Sequence, residues 1–521
     1  MKKGFTLIEL LAVILILGII ALIAIPTVNN ILKEARRGAF SSTLNNLTKA
    51  VEEKCTLEQI KNQAVTTNYT IIDGIITPSV DIKGDLPDGV ITVNSNCEVA
   101  FTLSDNNFTG KKEFTGKMDI VAGGNVTIKY KEEILNGADP VYNNNLIPVI
   151  IENNGIVKKA DIRKKWYSYE EKWWANAVIL KDSGRIENDG TIKEESIESY
   201  FVWIPRYKYK LFDMGNYNSV IEEQPSRSKK QTIEIVFEDK DTPVSVGTAI
   251  GQYHSHPAFE AFDTNGLWVG KFESSGDINE TTIKPNKQSY RNIDIQQMFV
   301  QSYNYKRNND SHMMKNTEWG AAAYLSLSKY GINKEININN NEQYITGYSA
   351  TENANQLIYP GDFGTNSSIT LPYNTEVGYK ASTTGNISGI YDMSGGTLEY
   401  MATFMDGYLG TSGFTEDPTI TYGNKYFDKY LNNSTITSYN NRILGDATGE
   451  LGPFYHYVDG DGTSRYHNNW WNDQSHFVAS NYPWLYRGGY YNSGVLSGQF
   501  YFHRFTGEAY RYITFRIVLT N

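Results

Sequence analysis

The first thirty residues, MKKGFTLIELLAVILILGIIALIAIPTVNN, restrict this chain more than any other stretch. Lys2 and Lys3 lead to Gly4 and Phe5, and the apolar run 7–25 that follows holds a single charge, Glu9. A carboxylate in such a segment costs about 3 kcal/mol on insertion scales, so a chain that keeps one has a use for it. A secretory signal with a stray charge is the simpler alternative. Signals of that kind have a shorter apolar core followed by a small-residue cleavage site, and nothing like that follows here. The uncharged run 10–26 is slightly under the ~20 residues that span a bilayer. Beyond it Val28, Ile31, Leu32, Ala35, Phe40, Leu44, Leu47 and Val51 recur at helical spacing, with Lys33, Glu34, Arg36 and Arg37 on the other side. A continuous helix over 5–51 would be about 70 Å long at ~1.5 Å per residue.

The stretch Lys3-Gly4-Phe5-Thr6-Leu7-Ile8-Glu9-Leu10 resembles the prepilin site of type IV pilins. The resemblance implies that a prepilin peptidase cuts between Gly4 and Phe5, that Phe5 is then methylated, and that Glu9 meets the terminal amine of Phe5 in a neighbouring pilin subunit. The physics agrees, because a carboxylate in a lipid or fibre core needs a cation and a new amine at a helix start supplies one. Gly18 and Pro26 match the helix-weakening residues of pilins. The implied location is the cytoplasmic (inner) membrane as a precursor, then the outside of the cell in a pilus.

At 521 residues the chain is too long for one ordinary domain. The expected fold class is α+β. Residues 1–4 are a leader, 5–51 a membrane or fibre anchor helix, 52–140 a small antiparallel-sheet body and 146–521 a large, loop-rich head. Short β-rich runs at 69–76, 90–93, 98–103 and 125–130, separated by turns such as Asp73-Gly74 and Pro87-Asp88-Gly89, support the small body. Cys55 and Cys97 are the only cysteines; one disulfide pinning sheet to helix is expected, with two free thiols as the alternative. The net charge of −10 with no evident basic patch gives no reason to expect a nucleic-acid partner. Thirty-seven tyrosines suggest a tyrosine-rich surface as well as a core.

The head has few helix signals; residues 316–330 are the main one, with Thr317 as cap. Glu318-Trp319-Gly320-Ala321-Ala322, Gly389-Ile390-Tyr391-Asp392-Met393-Ser394-Gly395-Gly396-Thr397-Leu398-Glu399-Tyr400, Arg487-Gly488-Gly489 and Thr514-Phe515-Arg516 occur in an order similar to that of the formylglycine-generating-enzyme family. Leu146-Ile147-Pro148-Val149, Trp174-Ala175-Asn176-Ala177 and Tyr200-Phe201-Val202-Trp203-Ile204-Pro205-Arg206 resemble the opening of its bacterial and phage relatives. The resemblance implies an elaborated C-type-lectin fold. Those enzymes use a cysteine pair late in the domain, and this head has no cysteine, so their reaction is not expected.

Other chemistry is thinly signalled. His254 and His256 would face one way from an extended segment, but no third metal ligand accompanies them. Asp459-Gly460-Asp461-Gly462-Thr463 reads either as a calcium loop or as a simple acidic turn, and the EF-hand pattern is not completed. Asp392 and Glu399 read as buried structural acids rather than a catalytic pair. The densest polar and aromatic display lies near the end: Tyr490, Tyr491, Asn492, Ser493, Tyr501, His503, Glu508, Tyr510 and Tyr512, between framework residues Arg487 and Arg516. It looks like the variable segment of C-type-lectin-fold receptors diversified by retroelements, which implies a site for a surface glycan or protein. In the alternative, aromatic strands simply close a core. Together these parts lead to the expectation of a non-enzymatic, minor, tip-located pilin that presents a ligand-binding head. Its rivals are a structural pilin or pseudopilin of a secretion or DNA-uptake pilus, and an enzyme displayed on a fibre.

Overall fold

The computed structural model describes residues 7–520 apart from 73, 83, 85, 106–107, 123–128, 143–144, 211–231, 244–250, 340–345, 350–371, 432–442, 449–453, 459–463 and 469–472; the side chains of 7–33, 122, 454–458, 464–468 and 495 are outside the description. The chain divides into two compact units, Met1–Tyr130 with Ile162–Lys164, and Lys131–Asp161 with Lys165–Asn521.

The smaller unit begins with helix α1, Leu7–Ile60. At ~1.5 Å per residue it is about 80 Å long. It ends at Ile60, later than expected, because its last turns carry good helix formers and are tied down from outside. Glu58 accepts the Thr66 N–H at 2.7 Å, and Lys54 lies 3.9 Å from Glu58 one turn away. Among the residues whose side chains are described, no helix is long and apolar enough to cross a membrane; the run 10–26 lies outside them.

The helix buries Phe40, Leu44, Leu47, Val51 and Cys55 at i, i+3, i+4 spacing, while Ala35 is exposed although the stripe predicted it inward. These side chains pack on strands β1 (Asn68–Ile72), β2 (Ile75–Thr77), β3 (Asp88–Val93), β4 (Val99–Ser104), β5 (Phe108–Lys112) and β6 (Asp119–Ala122). The strands form an antiparallel sheet in the order β2-β1-β3-β4-β5-β6. The expected strand 69–76 is instead the antiparallel pair β1 and β2, with Ile72 opposite Ile75, and β5 and β6 were not anticipated. Residues 129–130 are not in a strand, and most of the expected strand 125–130 lies outside the described residues. Phe40 meets Phe108 at 5.8 Å, and a Cβ on Gly110 would overlap Leu44, so the helix rests directly on the β5 backbone. Cys55 and Cys97 form a disulfide between helix and sheet, as expected.

The larger unit is β-rich. Among the described residues, one antiparallel sheet runs Thr191–Ile192, Val157–Lys159, Ile147–Ile151, Asn176–Leu180, Ile197–Pro205, Gly266–Gly270, Ile517–Leu519, His312–Met313. A second, mixed sheet runs Asp428–Tyr430, Leu398–Met405, Trp484–Gly488, Gly498–Phe505, Gln474–Ser475, Ser464–Asn468, Phe454–Val458, with Ile513–Phe515 also on Leu398–Met405. The final segment therefore pairs with the second sheet through Ile513–Phe515 and with the first through Ile517–Leu519. Arg516 sits at the crossing.

The predicted helix is present as Asn316–Ser326 and fully buried, ending before residue 330. Thr317 is not its cap. Glu318 accepts the Lys315 N–H at 2.8 Å, and Asp428, from an edge strand, accepts the Thr317 N–H at 2.8 Å. Trp174, Trp203, Trp268, Trp319 and Trp484 fill the core of this unit.

Candidate functional site

The site is built by the chain's return from one strand to the next. Strand Trp484–Gly488 is buried throughout and ends at Gly488 and Gly489, with φ of 91° and 78°. A side chain is disfavoured at such angles, and a Cβ on Gly489 would press on Ser497. The turn that follows is closed on itself, with the Tyr490 N–H donating to Ser493 Oγ at 3.1 Å and the Ser493 N–H to the Tyr490 carbonyl at 2.8 Å. Ser349 Oγ donates to the same carbonyl at 3.1 Å, so the turn is anchored to a segment far away in sequence.

The turn places five aromatic rings together. Tyr490 lies 5.0 Å from Tyr491 and 5.7 Å from Tyr512, Tyr512 lies 5.1 Å from Tyr510, and Tyr510 lies 5.2 Å from Phe505. Such edge and offset contacts hold aromatic rings rigid at little entropic cost. A second stack runs from His476 to His503 at 4.3 Å, from His503 to Tyr486 at 5.4 Å and from Tyr486 to Tyr501 at 6.3 Å.

The predicted residues separate into two groups. Tyr510 is 37% exposed, Glu508 is exposed, and Tyr490, Asn492, Ser493, His503 and Tyr512 are half-buried; these form the surface. Tyr491 and Tyr501 are buried at 4% and 3%, which corrects their assignment as contact residues. Tyr491 packs on Tyr348, and Tyr501 lies in the buried first part of strand Gly498–Phe505 against Tyr486, where burial pushes its hydroxyl well above the usual tyrosine range. Tyr348, His476 and Tyr486 complete the two clusters without having been anticipated; they come from distant segments and carry no local motif.

The framework beneath is charged and buried. Arg487 donates to Asn316 Oδ1 at 2.6 Å and to the Ala447, Tyr501 and Asp446 carbonyls. Arg516 grips Glu399 with two hydrogen bonds, Nε to Oε2 at 2.9 Å and Nη2 to Oε1, and donates to the Gly270 and Tyr391 carbonyls at 2.8 and 3.0 Å. Asp392, at φ 62°, accepts the Gly347 N–H at 2.8 Å. Burial pushes its carboxyl up to about 6, and burial with Asp392 and Glu399 nearby pushes Glu273 well above the carboxylate range. Asp392 and Glu399 are thus buried, and Glu399 is consumed by Arg516 rather than aimed at a cleft.

His254 and His256 both pack on Tyr209, at 6.2 and 5.4 Å. His256 is fully buried and caps the helix Pro257–Glu260, and burial lowers its pKa well below the usual histidine value. Among the described residues no three His, Cys, Asp or Glu side chains come together as a metal would need. Asp459 and Asp461, the calcium candidates, lie outside the described residues, as do Gly4 and Phe5; Glu9 lies within α1, its side chain outside the description.

The N-terminal segment has a match among known families. Residues 1–25 match the prokaryotic N-terminal methylation motif, which supports a type IV pilin or pseudopilin-like protein, anchored in the membrane through this segment and associated with a pilus.

Proposed function

We propose that the chain is a minor, tip-located type IV pilin whose larger unit recognises a target surface without catalysing a reaction. The methylation motif carries the pilin part of this reading. Cleavage between Gly4 and Phe5 and pairing of Glu9 with a neighbouring subunit's amine would place α1 in the fibre core. The tip assignment follows from size, since a head several times larger than the pilin body is hard to pack around every subunit of a thin helical fibre. A C-type-lectin-like fold, resembling formylglycine-generating enzymes without their cysteines, suits a unit with loops on a rigid β framework.

The observation that favours recognition is the exposed rim of the tyrosine cluster, held by a self-closed turn. Replacing Asn492, Glu508 and Tyr510 together by Ala should weaken binding of the detergent-solubilised full chain to intact target cells about thirtyfold or more, the scale of an interface hot spot. Circular dichroism would check that the variant is folded. Unchanged binding by the folded variant rejects the site. A structural pilin or pseudopilin shares the same motif; abundance along the fibre, measured by quantitative mass spectrometry of sheared pili, separates it from a scarce tip subunit.

A further inference from the structure

Segments of the larger unit at 181–182, 198, 279–281 and 301–306 meet around an open groove of about 440 Å³. Helix Ile295–Tyr305 supplies one wall. Its start is fixed by a capping box, with Asp294 accepting the Gln297 N–H at 2.9 Å and the Asp294 N–H donating to the Gln297 side chain at 3.1 Å. Ile295, Met298, Phe299 and Ser302 are buried at helical spacing, which leaves Gln301, Asn304 and Tyr305, at i, i+3 and i+4, for the groove.

The other walls are tied to this helix. The Tyr305 hydroxyl donates to Ser199 Oγ at 2.7 Å, and Lys306 Nζ lies 3.0 and 3.1 Å from the two carboxylate oxygens of Glu198 on strand Ile197–Pro205. Asp277 closes the tip of the hairpin Ser275–Thr282 by accepting the Asn279 and Glu280 N–H groups at 2.7 and 3.2 Å, which sets Asn279 at the groove. Thr281 Oγ1 donates to Gln301 Oε1 at 3.4 Å, joining hairpin to helix and leaving the Gln301 NH₂ group as a donor. The carboxamides of Asn279 and Asn304 are exposed and have no hydrogen-bond partner among the described residues.

We propose that this groove binds the end of a neutral glycan. A carboxamide both donates and accepts, as a sugar hydroxyl does, and Asn279, Gln301 and Asn304 gather three of them in one concavity. Glu198 and Lys306 neutralise each other, yet each carboxylate oxygen keeps a lone pair and the ammonium a third N–H, so the pair offers neighbouring hydroxyls an acceptor and a donor. Lys181 and Lys306 face Asp182, Glu198 and Glu280 in the lining, a balance too even to select a polyanion or a polycation. The volume falls within the ~300–1,000 Å³ usual for small-molecule sites. A lining this polar disfavours an apolar ligand, which would desolvate it without replacing its hydrogen bonds. The site goes beyond the recognition proposed for the tyrosine rim, since it is built from other segments and needs no target cell to be tested.

The test is saturation-transfer NMR of the detergent-solubilised full chain with the neutral trisaccharides maltotriose, cellotriose, mannotriose and triacetylchitotriose, and with trigalacturonate and chitosan trimer as charged counterparts. The account expects at least one neutral trisaccharide to bind, more tightly than either charged one and equally well at raised salt. The double variant Asn279→Ala, Asn304→Ala should bind that sugar about tenfold more weakly or worse, through the loss of two or more hydrogen bonds. Both positions are exposed, so the variant should keep the wild-type circular dichroism. Asn188→Ala, Asn337→Ala, at exposed carboxamides that do not line the groove, should bind as wild type. No binding of any neutral trisaccharide, undiminished binding by the folded groove variant, an equal loss in the control variant, or tighter binding of a charged counterpart would each overturn the assignment. Sugar binding that the groove variant keeps and the Asn492, Glu508, Tyr510 variant loses would move the sugar to the tyrosine rim and overturn it too, while leaving the recognition reading standing.

Discussion

Two glycines set opposite expectations at the scale of single residues. Gly320 lies in the buried helix Asn316–Ser326, and a Cβ there would fall well inside contact distance of the Gly445 carbonyl oxygen. Gly320→Ala should therefore destabilise the larger unit by about 3 kcal/mol or more, read as a lower Tm, because a backbone carbonyl cannot step aside like a side chain. Gly38 in α1 has nothing near its Cβ position, so Gly38→Ala should raise the stability of the smaller unit by up to about 1 kcal/mol. Asp392 makes stability depend on pH. Its folded carboxyl is raised to about 6 from 3.8, so the native state holds this proton more tightly than the unfolded chain. The resulting stabilisation is complete below 3.8 and is lost as pH rises through 6, a difference of order 3 kcal/mol. Asn tolerates the left-handed backbone and can accept the Gly347 N–H, so Asp392→Asn should remove this loss. Chemical denaturation of both proteins from pH 4 to 8 checks it, and parallel curves would contradict it.

At the scale of elements, the smaller unit was largely legible and the larger one only in fragments. The stripe Phe40, Leu44, Leu47, Val51 declared its buried face because helical spacing is local. Strands β5 and β6 escaped because FTGKK and DIVA are too short and too polar or plain to stand out. The large sheets join segments hundreds of residues apart, and pairing partners at that range leave no periodic trace. The surface was half legible: composition marked Tyr490 to Tyr512, while only the fold decided that Tyr491 and Tyr501 point inward. The hydrogen bond from Arg291 to the Arg511 carbonyl was invisible, since the two residues are 220 apart. The disulfide joins helix and sheet across a separation of 42 residues, for which loop entropy alone gives about 4 kcal/mol. Cys55→Ser, Cys97→Ser should lower the unfolding midpoint of the smaller unit accordingly. An unchanged midpoint would mean that the packing of Leu44 and Val51 on the sheet already suffices.

For the whole molecule, the methylation motif and the large β-rich unit pose a problem of assembly. The motif supports a pilin or pseudopilin-like subunit, while the second unit makes up most of the chain and, in the proposed reading, recognises a target. These demands are compatible if few copies are placed where space is free, and that position is the central claim. Immunogold labelling of sheared native fibres with an antibody against residues 146–521 tests it directly. The account predicts gold confined to fibre ends; gold spaced along the shafts, or fibres without gold, would contradict it.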